Sequence, residues 1–315
     1  MKTYHEDTNQ AAFSAMNLQI RQGEPLESHS TWRIGGPADY FCTPESVAEL
    51  REALDWAASR GLPAHVIGGG SNTLFADRGV RGLVIKLAAG FGGVAVDPPF
   101  LRVEAGAYAP CVARRAALVG LRGLEHVAGI PGTFGGLVFM NGGSLRRSLS
   151  ENLVEVEAID RRSGELCTLP AGECGFHYRR SMFQEGRWII TGATLKLIPD
   201  DARAIRREML AIMRERRGKF PRHLPNCGSV FKNDTAIYEE FGPPGKIVES
   251  LGFKGRRFGN LQVSEKHANF IVNLGGATAA EVLALTGRIK QAFLERTGRT
   301  LTEEFCRLGE FGPVR

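Results

Sequence analysis

Three stretches of the 315-residue chain combine residue types and spacings that could do chemistry. The first is Gly68-Gly69-Gly70-Ser71-Asn72, directly after the apolar run Ala64–Ile67. Consecutive glycines let a backbone approach a ligand closely and turn its N–H groups toward an anion. It is not the dinucleotide fingerprint, because Thr73–Val80 lacks helical patterning and a third spaced glycine. No Lys-Ser/Thr follows, so it is not a Walker loop either. A phosphate cradle and a plain tight turn both remain open. The second stretch runs from Ala128-Gly129-Ile130-Pro131-Gly132-Thr133-Phe134-Gly135-Gly136 to Met140-Asn141-Gly142-Gly143. Glycines in so apolar a window are costly for folding unless the backbone must pass close to something flat or charged. Two such loops in one half of a chain suggest a large cofactor with a diphosphate and a ring system. The third is Gly228-Ser229-Val230-Phe231-Lys232-Asn233, where Ser229 is a nucleophile, a proton donor or a turn serine at a strand start. It lacks the Gly-x-Ser-x-Gly elbow of hydrolases, and none of the seven histidines has a sequence-level claim to be its base.

The elements that must position these loops are legible in outline. Thr43-Pro44-Glu45 reads as a helix start, with Thr43 as N-cap, and Val47, Leu50, Leu54 and Ala57/Ala58 follow at helical spacing to Gly61. Strands are expected at Ala64–Ile67, Gly82–Leu87 and Leu101–Ala105, and a helix over Ala109–Val119. Val154–Asp160 and Glu165–Leu169 read as a hairpin, and Trp188–Ile198 as a long strand ending at Pro199. Ile205, Met209, Ile212 and Met213 line one face of an amphipathic helix that stops by Pro221. Thr278 and Glu281 form a capping box ahead of Val282, Leu285, Ile289 and Phe293. The divisions expected are an arm over residues 1–20, a first subdomain over 21–89, a second over 90–200 and a final domain over 201–315, with the boundary at Pro199-Asp200-Asp201.

Composition bounds the class. Hydrophobic residues at 43% and charged residues at 23% describe a globular chain with a real core. The longest apolar region, Leu118–Met140, is broken by Arg122, Glu125, His126 and glycines, so no membrane span is expected. Met1–Gln10 is polar, without the apolar core of an export signal. Six cysteines without a CxxC pair read as reduced thiols of a cytoplasmic protein, and no metal site is expected. The net charge of +6 lies wholly in Ala202–His223, with eight basic and two acidic residues. Nucleic-acid binding, steering of an anionic small molecule and a solvated helix face compete there. A nucleic-acid surface calls for interleaved aromatic residues, and Ala202–Arg217 contains none.

Thr31-Trp32-Arg33-Ile34-Gly35-Gly36-Pro37-Ala38-Asp39, the Gly68–Asn72 loop, Ala128–Gly136, Tyr178-Arg179-Arg180-Ser181-Met182-Phe183, Gly228–Asn233 and Gln262–Asn273 occur in this order. Together they resemble the UDP-N-acetylenolpyruvoylglucosamine reductases, shorter second type, over about Ser28 to Gly309. The resemblance implies an α+β fold: two subdomains holding FAD non-covalently in the PCMH, or vanillyl-alcohol-oxidase, manner, plus a C-terminal α+β substrate domain. It implies reduction of a UDP-sugar enolpyruvyl ether to UDP-N-acetylmuramate with NADPH, for peptidoglycan synthesis, and neither nucleic-acid nor membrane partners. Gly68, Gly69, Gly70, Ser71, Asn72, Gly129, Pro131, Gly132, Thr133, Gly135, Asn141 and Gly142 fall on cofactor-binding positions. Lys232, Asn233, Gln262 and His267 fall on substrate-binding positions. Ser229 falls on the proton donor, and Arg179 with Glu304 on the pair that stabilises the enolic carboxylate formed when reduced flavin delivers hydride.

The chain departs from the family pattern at three places. Asn141-Gly142-Gly143-Ser144-Leu145-Arg146 stands where the family has Asn-Ala-Gly-Ala-Tyr-Gly, so Leu145 replaces an aromatic residue. Thr302-Glu303-Glu304-Phe305 stands for Glu-Pro-Glu-Val, which makes Glu303 a rival to Glu304. Asp234 replaces a proline. The Leu145 change motivates an alternative, a paralogue that reduces a different unsaturated anion.

Overall fold

A buried apolar strand, flanked on one rim by a polar one, organises the first sheet. In the computed structural model, which describes residues 18–312, the chain runs through β1 (Arg21–Pro25), β2 (Pro37–Cys42), α1 (Val47–Ala58), β3 (Ala64–Ile67), β4 (Thr73–Phe75) and β5 (Val80–Lys86). The sheet order is β1-β2-β5-β3, with β5 parallel to both its neighbours and β1 antiparallel to β2. Leu83, Val84 and Ile85 of β5 are fully buried, as a strand covered on both faces requires. Helix α1 begins later than its sequence signals suggest. Ser46, not Thr43, is the N-cap, its hydroxyl accepting from Glu49 N, because Ser46 with Glu49 completes a local cap that Thr43 lacks. Of the arm expected over residues 1–20, residues 1–17 lie outside the described range, while Leu18 and Ile20 pack onto the core.

The second sheet is wholly antiparallel. After β6 (Val94–Asp97), β7 (Phe100–Glu104), α2 (Ala109–Leu118), β8 (Leu121–Arg122) and α3 (Phe134–Met140), the chain forms β9 (Leu153–Asp160), β10 (Leu166–Pro170), β11 (Trp188–Lys196) and β12 (Ile198–Pro199). The order β10-β9-β11-β7-β6 puts the most apolar strand, β11, at the centre, and β9–β10 is the expected hairpin. Helix α4 (Ala202–Lys219) starts at Asp201, whose carboxylate accepts from Arg203 N and Ala204 N. Its buried face, Ile205 and Met209, joins the core beneath the second sheet and packs on α2. The boundary expected at Pro199 therefore moves to the end of α4. An amphipathic helix goes with whichever core buries its apolar stripe, and sequence alone does not say which.

The C-terminal unit contains α5 (Thr235–Phe241), α6 (Pro244–Ser250), β13 (Arg257–Phe258), β14 (Leu261–Val263), β15 (Ile271–Asn273), α7 (Ala279–Thr297) and β16 (Cys306–Leu308). The capping box of Thr278 and Glu281 opens α7, and Asp77 adds a second cap by accepting from Ala279 N and Ala280 N. Its core is not built from the C-terminal residues alone: Trp32, Ile34 and Leu74 are buried in it. Trp32 Nε1 donates to Ile271 O at 3.0 Å, and β16 pairs parallel with β4. Residues 31–34 and 73–75, expected to belong to the first subdomain, thus pin the C-terminal unit onto it.

Candidate active site

The two glycine-rich loops meet face to face. Ser71 Oγ donates to Pro131 O at 3.0 Å, and a Cβ on Gly69 would stand 3.1 Å from Gly132 Cα. A Cβ on Gly68 would lie 2.1 Å from Thr133 Oγ1, and one on Gly70, which has φ +60°, 1.9 Å from His29 O. A side chain would therefore meet Thr133 at Gly68, crowd the Gly132 backbone at Gly69 and collide with the His29 backbone at Gly70. Beside this contact lies a cleft of about 540 Å³ between the two sheets. Its walls are Thr31, Gly69 and Lys86–Ala89 on one side, and Gly92, Gly106–Tyr108 and Pro131–Thr133 on the other. The backbone N–H groups of Gly68, Gly69, Gly70, Ser71, Gly132 and Thr133 have no acceptor among the described residues. Unpaired donors beside an apolar wall fit a ligand with a diphosphate and a flat ring, which is the chemistry of FAD. Asn72 turns away from this cleft and donates to Glu304 O at 3.1 Å.

A second cluster joins all three parts of the fold. Arg179 Nε donates to Glu304 Oε1 at 2.6 Å, and its Nη2 to Gly143 O at 3.0 Å. His177 and Arg180 exchange backbone hydrogen bonds, so Tyr178 and Arg179 form the tip of a tight turn, with Arg179 at φ +53°. That strained conformation aims the guanidinium inward. Glu304 N donates to Val230 O at 2.8 Å, which ties the glutamate's backbone to the residue after Ser229 in the chain's third chemical stretch. Ser229 itself follows Gly228, at φ +85°, whose N–H is held by Asn226 Oδ1. Asn269 clamps the far side, accepting from Val230 N and Phe231 N. Thr31, a wall of the cleft, donates through Oγ1 to Asn226 O at 2.8 Å, linking the serine turn to the cleft. Cys227 is no nucleophile: burial pushes its thiol well up, and the Glu304 carboxylate adds to this.

The two glutamates point in different directions. Glu303 points into the C-terminal unit, accepting from Lys290 Nζ at 2.9 Å, Thr286 Oγ1 at 3.1 Å and Arg307. Adjacent residues on an extended segment face opposite ways. Lys232 lies close enough to Cys306 to oppose the rise that burial imposes on that thiol, and Asn233 N donates to Tyr178 OH at 3.4 Å. Asn233 therefore sits beside the turn that carries Arg179.

Several other residues carried by the resemblance have structural duties. Gly129 O accepts from Arg216 Nε, so α4 holds the second loop from behind. Gly135 lets α3 pack against Ala105, where a Cβ would come within 2.8 Å. Asn141 is buried at the left-handed end of α3, its amide donating to His177 O and accepting from Ser150 N. Gly142 packs on Leu137. The Gln262 amide donates to Gly255 O and Glu265 within its own hairpin. His267 sits among Phe220, Phe270 and Gly245, and its Nδ1 accepts from Asn269 N. None of these six lines the cleft among the described residues, while Asn141 braces the turn that carries Arg179. Conversely, Thr31, Lys86 and Tyr108 line the cleft without having been singled out as ligands. Thr31 lay within a quoted motif, whereas Lys86 and Tyr108 carry no local signal.

Residues 38–170 match the family described as an FAD binding domain, and residues 220–308 that described as UDP-N-acetylenolpyruvoylglucosamine reductase, C-terminal domain. Fold, cleft and matched domain together define an FAD-dependent oxidoreductase of two-subdomain α+β architecture. The chain is 41% identical over 314 residues to UDP-N-acetylenolpyruvoylglucosamine reductase 1 of Corynebacterium glutamicum, covering 100% of this chain and 93% of that protein. It is 41% identical over 297 residues to the reductase of Moorella thermoacetica, covering 94% and 96%. The crystal structure of the reductase from Thermus caldophilus superposes with a TM-score of 0.78 at 33% identity, covering 93% of this chain and 99% of that one. The chain belongs to the UDP-N-acetylenolpyruvoylglucosamine reductase family. No helix among its described residues is long and apolar enough to cross a membrane.

Proposed function

We propose that Arg179, Glu304 and Ser229 carry the substrate half of the reaction, in which UDP-N-acetylenolpyruvoylglucosamine is reduced to UDP-N-acetylmuramate for peptidoglycan synthesis. FAD held in the cleft would supply the hydride, drawn from NADPH, for the terminal carbon of the enolpyruvyl group. Negative charge then builds on the adjacent carbon and spreads into its carboxylate. The Arg179 guanidinium, held by Glu304 and Gly143 O, supplies a fixed positive charge for that enolic carboxylate. Ser229 gives its proton to the adjacent carbon, which is basic enough to take it from an alcohol. Lys232, with no acceptor of its own among the described residues, meets the substrate's phosphates in this reading. We assign the reaction to the cytoplasm, in keeping with six free thiols.

The observation that carries this reading is the joining of Arg179, Glu304 and the Ser229 turn, from three parts of the chain, beside a cleft fitted to FAD. The test is anaerobic spectroscopy of the FAD-loaded protein. NADPH should bleach the yellow colour and UDP-N-acetylenolpyruvoylglucosamine should restore it. Bleaching without recolouring by that sugar would assign the site to a different unsaturated anion, the reading that Leu145 suggests; that residue is exposed at φ +56°.

A further inference from the structure

Lys86, at the end of β5, is the one charged residue lining the cleft among the described residues. Its Nζ lies 3.0 Å from His29 Nδ1, and His29 Nε2 lies 2.8 Å from Glu24 Oε1. An ammonium only donates, so Nδ1 is the acceptor and the imidazole proton sits on Nε2, given to Glu24. The ring cannot swing away: it stacks on Phe41 with centroids 4.4 Å apart, and its side chain is only 13% exposed. Arg21 completes the set, with Nη1 3.0 Å from the same Glu24 oxygen. The charged groups facing His29 are thus Arg21 and Glu24 of β1 and Lys86 of β5. Burial, seconded by the Lys86 and Arg21 charges, lowers His29 below its ordinary value despite Glu24, which keeps it a neutral acceptor.

One ammonium hydrogen of Lys86 goes to His29, and the other two have no acceptor among the described residues. They share the cleft with the unpaired N–H of Gly69, and no carboxylate lines that cleft. A lysine whose only side-chain partner is a neutral imidazole, in an otherwise uncharged cleft, is placed for an anion. We propose that Lys86 contacts a diphosphate oxygen of the bound flavin dinucleotide, and that His29, backed by Glu24, is the positioning residue that aims it. This rests on the cleft being the FAD site.

The test is titration of the apoprotein with FAD and with riboflavin, which lacks phosphates, followed by flavin fluorescence in 50 mM and in 500 mM NaCl, concentrations of about these orders giving weak and strong screening. Lys86→Met should weaken FAD binding roughly 10-fold or more, leave riboflavin binding unchanged and flatten the salt dependence. His29→Leu should weaken FAD binding less, and His29→Asn, whose side-chain oxygen can replace Nδ1 as acceptor, should restore it. Lys86→Gln and the melting temperature of each apoprotein guard against a folding defect. FAD affinity unchanged in both Lys86 variants, or an equal loss for FAD and riboflavin, would overturn the contact. Equal weakness of His29→Leu and His29→Asn would overturn the positioning role. Failure of the unaltered protein to bind FAD would overturn the cofactor site itself.

Discussion

Arg179 and Glu304 stand 125 residues apart in the chain and meet through a 2.6 Å hydrogen bond between Nε and Oε1. Glu303, one residue earlier, is turned the other way and held by Lys290, Thr286 and Arg307. Under the proposed assignment this pairing gives Glu304 to the chemistry and Glu303 to stability. It also ties the second sheet to the C-terminal segment.

Replacement of the two glutamates should therefore separate these roles. Glu304→Gln should lower kcat by about 100-fold or more, the usual loss when a charge-stabilising partner is removed, with little change in unfolding free energy. Glu303→Gln should do the reverse, costing about 1–3 kcal/mol in urea unfolding while leaving kcat near that of the unaltered protein. Burial alone would raise the Glu303 carboxyl, but hydrogen bonds from Lys290 and Arg307 outweigh it and hold the group below its ordinary value. A depressed carboxyl stabilises above its unfolded value and loses that contribution as pH falls through the folded one. The stability gap between Glu303→Gln and the parent should accordingly narrow below about pH 4.5.

Ser229→Ala should split the two half-reactions. Stopped-flow absorbance is expected to show bleaching by NADPH at the parental rate. Recolouring by the UDP-enolpyruvyl sugar should be slowed by about 100- to 10,000-fold, the range for loss of a positioned proton donor. Equal slowing of both phases would reject the assignment.

At the meeting of the loops, Gly68→Ala is expected to act on both cofactor and fold. The new Cβ would fall 2.1 Å from Thr133 Oγ1, the oxygen that accepts from Gly136 N at the start of α3. Thr133 must rotate away, removing a cap worth about 1 kcal/mol and opening the seam between the loops. FAD titration and apoprotein melting should both register the change.

His126 offers a test with the opposite sign. It is 1% exposed, and neither ring nitrogen has a hydrogen-bond partner among the described residues. Burial, with the nearby Arg147 charge, pushes its pKa down to about 4. The unfolded chain takes up a proton near pH 6.5 and the folded one does not, so stability present above pH 6.5 is lost as pH falls toward 4. At pH 5 the loss amounts to about 2 kcal/mol. His126→Leu should remove that loss, and at pH 7 it should be neutral or stabilising, because no hydrogen bond is given up. Urea unfolding at pH 7 and pH 5 reads both effects.

Local patterns spoke for local structure. The hairpin of β9 and β10, the capping box of α7 and the amphipathic face of α4 each follow from residues within a few positions of one another. The glycine loops were visible as chemistry because glycines in an apolar window need a reason. Much less was legible about allegiance. The basic helix α4 was expected to open the substrate domain, yet it packs beneath the second sheet and sends Arg216 to Gly129. Arg122 anchors the first half of α4 to β8 by bridging Asp200 and Glu208.

The sequence by itself determined the family, through six motifs in a fixed order, and with it the FAD chemistry and the residue types the site must contain. Only the tertiary structure separated equivalents: it pairs Glu304 rather than Glu303 with Arg179, caps α1 with Ser46 rather than Thr43, and makes Lys86 the lone charge lining the cleft among the described residues. The physical reason is one of range. Caps, turns and periodic faces are set by neighbours along the chain, whereas the partner of a charged side chain is set by which distant backbone the core brings beside it. Arg179 finds Glu304 only because β16 pairs with β4 and the Glu304 backbone is held by Val230, contacts that no local pattern records.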